Sequence, residues 1–204
     1  MNYAIIAILG YLIGSIPFGL IVGRLVGGID VRDYGSKRTG ATNVLRTLGP
    51  RYGGLVFVLD AAKAIAAIGV ARLIVGGDRW AWALAALLAM VGHIYPIFAG
   101  FKGGRGVATG LGGVLGMLPW AFLVTFVVWW SVVWLTRYVS LASMLASIAT
   151  AITSGVFVLY GHTHIAVFVY CTTIAVIIVV SHGDNIARLR AGTESKFGQK
   201  ASVK

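Results

Sequence analysis

A glycine-rich stretch with two basic residues is the part of the sequence best suited to bind an anion. It covers residues 99–110, reads Ala-Gly-Phe-Lys-Gly-Gly-Arg-Gly-Val-Ala-Thr-Gly, and has five glycines and no acidic residue. A glycine-rich turn can aim consecutive backbone N–H groups at one point, and a helix that begins at Val107 would add its positive end. We therefore predict that this loop binds phosphate through Lys102, Gly103, Gly104, Arg105 and Gly106.

The composition places this loop in an all-α integral membrane protein. Apolar residues make up 58% of the 204 residues and charged residues 11%, whereas soluble domains carry about 25% charged residues. Several apolar runs approach the ~20 residues that a helix needs to cross a bilayer. The net charge of +11 fits cytoplasmic loops and anionic substrates or lipid headgroups better than nucleic acid. Cys171, the single cysteine, lies in an apolar run, which predicts no disulfide.

Seven transmembrane helices are predicted, one of them short. The first contains Gly-Ser-Ile-Pro-Phe-Gly at 14–19, which predicts a kink that serves either helix packing or the site. The fourth has thirteen residues, or about 20 Å of helix against a bilayer core of ~30 Å, so it crosses a thinned bilayer or packs as a partial helix. The predicted segments are 4–26, 55–75, 81–98, 107–119, 120–135, 141–160 and 165–180.

The distribution of basic residues predicts the orientation. If the short segment crosses, nearly all Lys and Arg residues outside the spans lie on the face that holds the C-terminus. The positive-inside rule then puts the C-terminus in the cytoplasm and the N-terminus outside. A re-entrant short segment would put the basic tail outside, which the charge count disfavours. The expected result is a single membrane domain, 1–204, with three cytoplasmic-face motifs at 35–46, 101–109 and 182–196.

Two ionisable residues of opposite charge lie deep within the second predicted span, away from Arg72 near its end. Asp60 and Lys63 are three residues apart, so they can pair on one helix face. The sequence leaves open whether this supporting pair only neutralises itself or also contacts a substrate. His162 and His164, two residues apart without a nearby carboxylate, are a weak metal signal, and we expect no metal site.

An ordered set of short motifs extends over the whole chain. These motifs are 14–19, Gly-Ala-Thr-Asn at 40–43 with Arg46, Asp60 with Lys63, Gly-His-Ile-Tyr-Pro at 92–96, Phe-Lys-Gly-Gly at 101–104, Gly-Val-Ala-Thr at 106–109, Tyr-Val-Ser-Leu-Ala-Ser at 138–143, and His182, Asn185, Arg188 and Glu194. With this set the sequence resembles the bacterial PlsY family of acyl-phosphate:glycerol-3-phosphate acyltransferases. The chain departs from the usual family pattern at Lys37-Arg38, where Gly-Asn is usual, and at Arg105, where lysine is usual; each change keeps or adds positive charge.

The resemblance implies a seven-helix enzyme of the bacterial inner (plasma) membrane with its active site on the cytoplasmic face. It would transfer a fatty acyl group from acyl phosphate to the 1-hydroxyl of glycerol 3-phosphate, giving lysophosphatidic acid and phosphate at the first step of phospholipid synthesis. We expect no cofactor, no nucleic acid and a monomer in membrane lipid.

An acyl phosphate already carries a good leaving group, so the enzyme has mainly to hold two anions together and stabilise an oxyanion. We expect no covalent nucleophile. The hydroxyl proton goes either to His182 or to an oxygen of the acyl phosphate, and we favour the latter. Glu194 is expected to position its Arg and Asn neighbours. The expected catalytic residues are His182, Asn185 and Ser36, and the expected phosphate contacts beyond the loop are Arg46, Asn43 and Arg188.

Two other functions also fit part of the pattern. A transporter for a phosphorylated solute would account for the glycines, the intramembrane Asp-Lys pair and the short helix, but the sequence shows no internal repeat. A different glycerolipid acyltransferase would carry His-x4-Asp, and none of the four histidines has Asp at that spacing. The loop also departs from the Gly-x4-Gly-Lys-Ser/Thr nucleotide motif, so we expect no ATP and no required Mg²⁺.

Overall fold

The computed structural model describes residues 1–201, and within that range the chain is helical without a β-strand. The predicted all-α class is thus confirmed for these residues. Short 3-10 turns cover Val31–Asp33 and Ile97–Ala99. The α-helices are α1 (Asn2–Gly14), α2 (Phe18–Gly27), α3 (Ala41–Leu48), α4 (Pro50–Val75), α5 (Arg79–Ile94), α6 (Val107–Met117), α7 (Pro119–Thr136), α8 (Val139–Leu159), α9 (Ile165–Ser181) and α10 (Gly183–Arg190).

The lengths and apolar character of these helices confirm a multi-pass membrane protein. Within the described residues, five spans are long and apolar enough to cross a bilayer, or six if α9 and α10, bent by 55° to each other, form one broken span. The predicted fourth segment is the shorter apolar helix α6. The five are Asn2–Gly27, Pro50–Val75, Arg79–Ala99, Pro119–Thr136 and Val139–Leu159.

The predicted kink in the first span is a break between α1 and α2. Because proline lacks an N–H and clashes with the preceding turn, the helix stops before Pro17 and restarts at Phe18. Glycines on α1 pack directly on α5: a β-carbon on Gly10 would lie 2.7 Å from the carbonyl oxygen of Ala85, and one on Gly14 would overlap the backbone of Ala89. Small residues therefore let these two helices approach closely.

The chain divides into two compact units, and the first contains residues 1–113 and the tail from Gly198. In this unit α1 packs on α4 and α5, and α4 also packs on α3 and α5. An apolar cluster buries one side of the polar segment that follows α2. Its members are Leu20, Val22, Val31, Val44, Val56 and Ala99.

The second unit contains residues 114–197, in which α8 packs on both α7 and α9, and α10 lies against α9. The face of α8 that is buried carries small hydroxyl side chains, which return hydrogen bonds to carbonyls of their own helix and so remain satisfied. These residues are Ser143, Ser147, Thr150 and Ser154. The stripe is a packing surface that brings Ser140, at the start of α8, into the unit interior.

Candidate functional site

Asn43, buried at the start of α3, holds the polar segment that follows α2. Its Nδ2 donates to the carbonyls of Val31 at 2.7 Å and Arg38 at 2.8 Å, and its Oδ1 accepts from the backbone N–H of Ser36 at 2.9 Å. An amide has only two N–H donors, and both point at backbone carbonyls. This geometry favours a positioning role for Asn43 over the phosphate contact that the sequence predicts.

The segment that Asn43 holds presents Ser36 half-buried beside an unusual backbone conformation. Lys37, which follows it, has φ 56°, in the left-handed region where a β-carbon is strained and glycine is not. The departure from the usual family pattern thus falls on a position whose backbone suits glycine. Arg46 lies in the last turn of α3, half-buried, where its carbonyl accepts from the N–H of Ala201 at 2.9 Å.

The glycine-rich loop is fastened to the end of α5 by its own amides. The N–H of Gly103 donates to the carbonyl of Ile94 at 3.2 Å, and that of Gly104 to the carbonyl of His93 at 3.1 Å. These two amides therefore point at protein carbonyls, which differs from the predicted cradle in which they face an anion. The helix does begin at Val107, as predicted. Anion binding at this loop consequently depends on its cations and on the start of α6.

Two glycines of the loop leave no room for a side chain. A β-carbon on Gly103 would lie 2.6 Å from Cδ of Pro96 and would overlap the carbonyl oxygen of His93. A β-carbon on Gly104 would overlap the His93 ring. Glycine is therefore required at residues 103 and 104 because the backbone lies close to other atoms, and not because the loop must be flexible.

The buried pair predicted within the second span is part of a three-residue network. Nζ of Lys63 lies 2.9 Å from Oδ1 of Asp60, 2.9 Å from Nδ1 of His93 and 3.2 Å from the carbonyl oxygen of Ile16. The ammonium group thus has an ion-pair partner and two hydrogen-bond contacts within the protein. This favours the self-neutralising alternative over a substrate contact. Sequence reasoning missed His93 as a member, because α5 brings it to the pair only through tertiary packing.

In the second unit, Glu194 ties α8 to α10 and the turn after it. Its Oε1 accepts from Oγ of Ser140 at 2.8 Å and from Nδ2 of Asn185 at 2.6 Å, and its Oε2 accepts from Nε of Arg188 at 2.7 Å. Burial raises the pKa of the Glu194 carboxyl, but the hydrogen bonds from Asn185, Ser140 and Arg188 outweigh burial, so the pKa lies below its ordinary value. The carboxylate is therefore charged at neutral pH. Ser140 is a member that the predicted site omits.

His182 lies buried at the bend between α9 and α10. Its Nδ1 is 2.8 Å from the carbonyl oxygen of Ile178. Since a carbonyl only accepts, Nδ1 carries the hydrogen, and in the neutral ring the lone pair is on Nε2. Asn185, three residues further on, is on the same side of the chain as it enters α10. Nε2 can accept a hydrogen bond or a proton from a hydroxyl, so the alternative in which His182 accepts the hydroxyl proton stays open.

Within residues 1–201, no group of three or more His, Cys, Asp or Glu residues is placed to hold a metal ion. What the structure does provide is basic and amide side chains held by buried hydrogen bonds at the ends of apolar helices. The fold therefore defines a helical membrane protein, and its basic and amide side chains are of the types that bind phosphate groups.

Comparison with known proteins gives the particular family. Residues 4–192 match the family model described as glycerol-3-phosphate acyltransferase. A glycerol-3-phosphate acyltransferase of Anaeromyxobacter dehalogenans is 48% identical over 196 residues, covering 95% of this chain and 96% of the relative. One from Bordetella pertussis is 41% identical over 206 residues, covering 98% and 94%. The chain belongs to the glycerol-3-phosphate acyltransferase family, which confirms the resemblance found in the sequence.

Two solved structures share this fold. The crystal structure of PlsY, an integral membrane glycerol 3-phosphate acyltransferase, in its glycerol 3-phosphate form is 40% identical, with a TM-score of 0.88 over 97% of this chain and 96% of that chain. Its lysophosphatidic acid form is 39% identical, with a TM-score of 0.86 over 98% and 97%.

Proposed function

We propose that this chain is a membrane glycerol-3-phosphate acyltransferase that transfers a fatty acyl group from acyl phosphate to the 1-hydroxyl of glycerol 3-phosphate. The products are lysophosphatidic acid and phosphate, at the first step of phospholipid synthesis. The observation that carries the acyltransferase assignment is the match over nearly the full chain to relatives of that activity. The identity of the donor, acyl phosphate, is the more specific part of the proposal. It is supported by motifs suited to binding anions and by a reaction that needs no covalent nucleophile.

In this proposal, cations hold the phosphates and offset their mutual repulsion. Arg46, Lys102, Arg105 and Arg188 are the phosphate contacts, and Gly103, Gly104 and Gly106 shape the loop that carries Lys102 and Arg105. Ser36 contributes a hydroxyl, and Asn43 keeps it in place through the backbone hydrogen bond to residue 36. Asp60 and Lys63 support the loop from within the membrane through His93. Holding the two anionic substrates in the correct relative position supplies most of the rate enhancement.

The residues of the second unit orient the attacking hydroxyl. Asn185 and His182 are the catalytic residues there, and Glu194 positions Asn185 and Arg188 through the two hydrogen bonds it accepts from them. The proton of the attacking hydroxyl passes to an oxygen of the acyl phosphate, and His182 orients the substrate without taking up that proton. The departing phosphate carries that proton away, so the reaction needs no external base.

We further propose that the protein is a monomer with seven transmembrane helices, α6 being the short one. In this proposal the whole chain, 1–204, forms one membrane domain, which lies in the bacterial inner membrane. The N-terminus lies outside and the C-terminus in the cytoplasm, with the motifs 35–46, 101–109 and 182–196 on the cytoplasmic face. The positive-inside rule supports this orientation, because these motifs carry most of the basic residues outside the spans.

The test of the donor assignment uses the purified full chain in lipid vesicles with glycerol 3-phosphate and one of three donors. We expect lysophosphatidic acid with acyl phosphate and none with acyl-CoA or acyl carrier protein. Arg46→Gln should lose most activity, whereas Arg51→Gln, an exposed arginine at the start of α4, should keep it. Product from acyl-CoA alone would refute the donor, and no product from any donor would instead favour a transporter.

A further inference from the structure

The first unit contains a cavity of about 850 Å³, and the proposed reaction does not use most of its lining. It lies at the end of α2, between that helix, the 3-10 turn at Val31–Asp33 and the segment from Phe98 to Lys102. Of all the predicted phosphate-binding residues, only Lys102 lines it. The cavity is therefore distinct from the surroundings of Arg46 and Arg105.

The charge of the cavity lining is positive. Four basic side chains face it against two carboxylates. One base and one acid are already paired, because Arg32 binds Asp30 at 2.7 Å and donates to the carbonyl of Ala99 at 2.9 Å. Among the described lining residues, the other bases are Arg24, Lys37 and Lys102, and the other carboxylate is Asp33. An anion with one or two negative charges is the ligand that this lining would stabilise.

The cavity also has an apolar wall that continues onto the lipid-facing surface. Leu20 and Ile21 of α2 and Phe98 line it. Exposed apolar side chains continue from it at the ends of two spans: Leu25, near the end of α2, is 81% exposed, and Phe98 and Phe101, which follow α5, are 63% and 57% exposed. A free phosphate would make no use of these side chains, whereas an acyl-chain ligand would cover them.

The backbone conformation of Lys37 is a second observation that points to a role for its ammonium group in this cavity. Residue 37 has φ 56°, a conformation that costs free energy for any side chain except glycine. The same residue lines the cavity. The chain therefore keeps a lysine at a strained position where its ammonium group adds to the charge of this cavity.

We propose that this cavity binds the phosphate headgroup of an anionic membrane phospholipid, with the acyl chains lying along Ile21, Leu25 and Phe98. The headgroup is held by Arg24 and Lys37, at the level where the first span leaves the bilayer, while Lys102 stays with the substrate phosphate. The bound lipid would fasten the turn at 97–102, which leads directly into the glycine-rich loop. The inference goes beyond the proposed reaction and does not depend on it.

The test measures lipid-dependent thermal stabilisation of the purified full chain, since a ligand that binds only the folded state raises the unfolding midpoint. Phosphatidylglycerol should raise the midpoint by several degrees, and phosphatidylcholine should not. Arg24→Gln and Lys37→Gly should each need at least about ten times more phosphatidylglycerol for half of the shift. Arg51→Gln, which removes an equally exposed charge outside the cavity, should respond like the unaltered chain.

Using two variants keeps the test interpretable if one of them folds poorly, and Lys37→Gly also relieves the strain at residue 37. An unchanged response to phosphatidylglycerol in both variants would refute the proposal. Inorganic phosphate producing the same shift as the lipid would identify a free anion as the occupant and would also refute it. A raised KM for acyl phosphate in Arg24→Gln, with phosphatidylglycerol binding intact, would assign the cavity to the donor and overturn the lipid assignment.

Discussion

The His93 imidazole lies against the α-carbon of Gly104, so closely that a side-chain carbon on residue 104 would overlap ring atoms Nε2 and Cε1. The opposite ring nitrogen, Nδ1, is 2.9 Å from Nζ of Lys63. His93 thus lies between the charged pair within the membrane and the glycine-rich loop at its edge. The geometry of the loop therefore depends on the buried network of Asp60, Lys63 and His93 as well as on the loop's own glycines.

Gly104→Ala should displace the loop, because neither the His93 ring nor the backbone at residue 104 can move without breaking other hydrogen bonds. We expect kcat/KM to fall by about 10²-fold, the usual effect of misplacing a binding group by about 1 Å. Gly54→Ala, where a β-carbon meets no atom within 4 Å, is the matched control and should keep full activity. Equal activity in the two variants would show that the loop does not need this contact.

Lys63→Met should destabilise the fold strongly, because it leaves the Asp60 carboxylate buried without its cation. The expected loss is about 3–5 kcal/mol of unfolding free energy. Asp60→Leu combined with Lys63→Met should recover most of that loss, since no charge then remains buried. Thermal unfolding of the single and double variants in detergent measures both effects.

Activity of the same double variant decides between the two roles weighed for the pair. If the pair only neutralises itself, the folded double variant keeps kcat within about ten-fold. A folded double variant without activity would instead assign Lys63 a substrate contact.

Replacing Glu194 with Gln should make the unfolding midpoint of the protein less sensitive to acid. Because the pKa of Glu194 is lower in the folded chain than its ordinary value of 4.5, its stabilising contribution is complete above that value. The contribution disappears as the pH falls through the lower folded pKa. The midpoint of the unaltered chain should therefore drop in this range, and that of Glu194→Gln should drop less. Asp33→Asn, at an exposed carboxylate, should retain the full drop.

His182→Gln keeps a polar side chain of similar length but cannot take up a proton at neutral pH. Since we favour the acyl phosphate as proton acceptor, kcat should fall by less than about ten-fold, whereas loss of a general base costs about 10²–10⁴-fold. A kcat–pH profile that is unchanged in the variant would support the same conclusion. A loss of 10³-fold or more would make His182 the base.

The sequence predicted much of the helical framework because long apolar runs and prolines act locally. The ends of α6 and α9 and the break before Phe18 follow from such signals. The second span is predicted from residue 55, where the apolar run begins, but the helix itself starts five residues earlier. Proline is suited to the first turn of a helix, and α4 begins at Pro50.

The site was predicted less completely, because residue type does not reveal which donors are already in use. The amides of Gly103 and Gly104 and the side chain of Asn43 are engaged by backbone carbonyls far from them in sequence. His93 and Ser140 enter networks with Lys63 and Glu194 only through helix packing. Such long-range partners have no local signature in a single sequence.

The hydrogen bonds of Asn43 also make the polar segment sensitive to chemical ageing. Deamidation would replace the donating NH₂ group with an oxygen that repels the carbonyls of Val31 and Arg38. That exchange of one group would turn two attractions into repulsions in a buried place and release the backbone around Ser36. The burial of the Asn43 amide, which keeps water away from it, thus preserves the segment over the lifetime of the protein as well as shaping it.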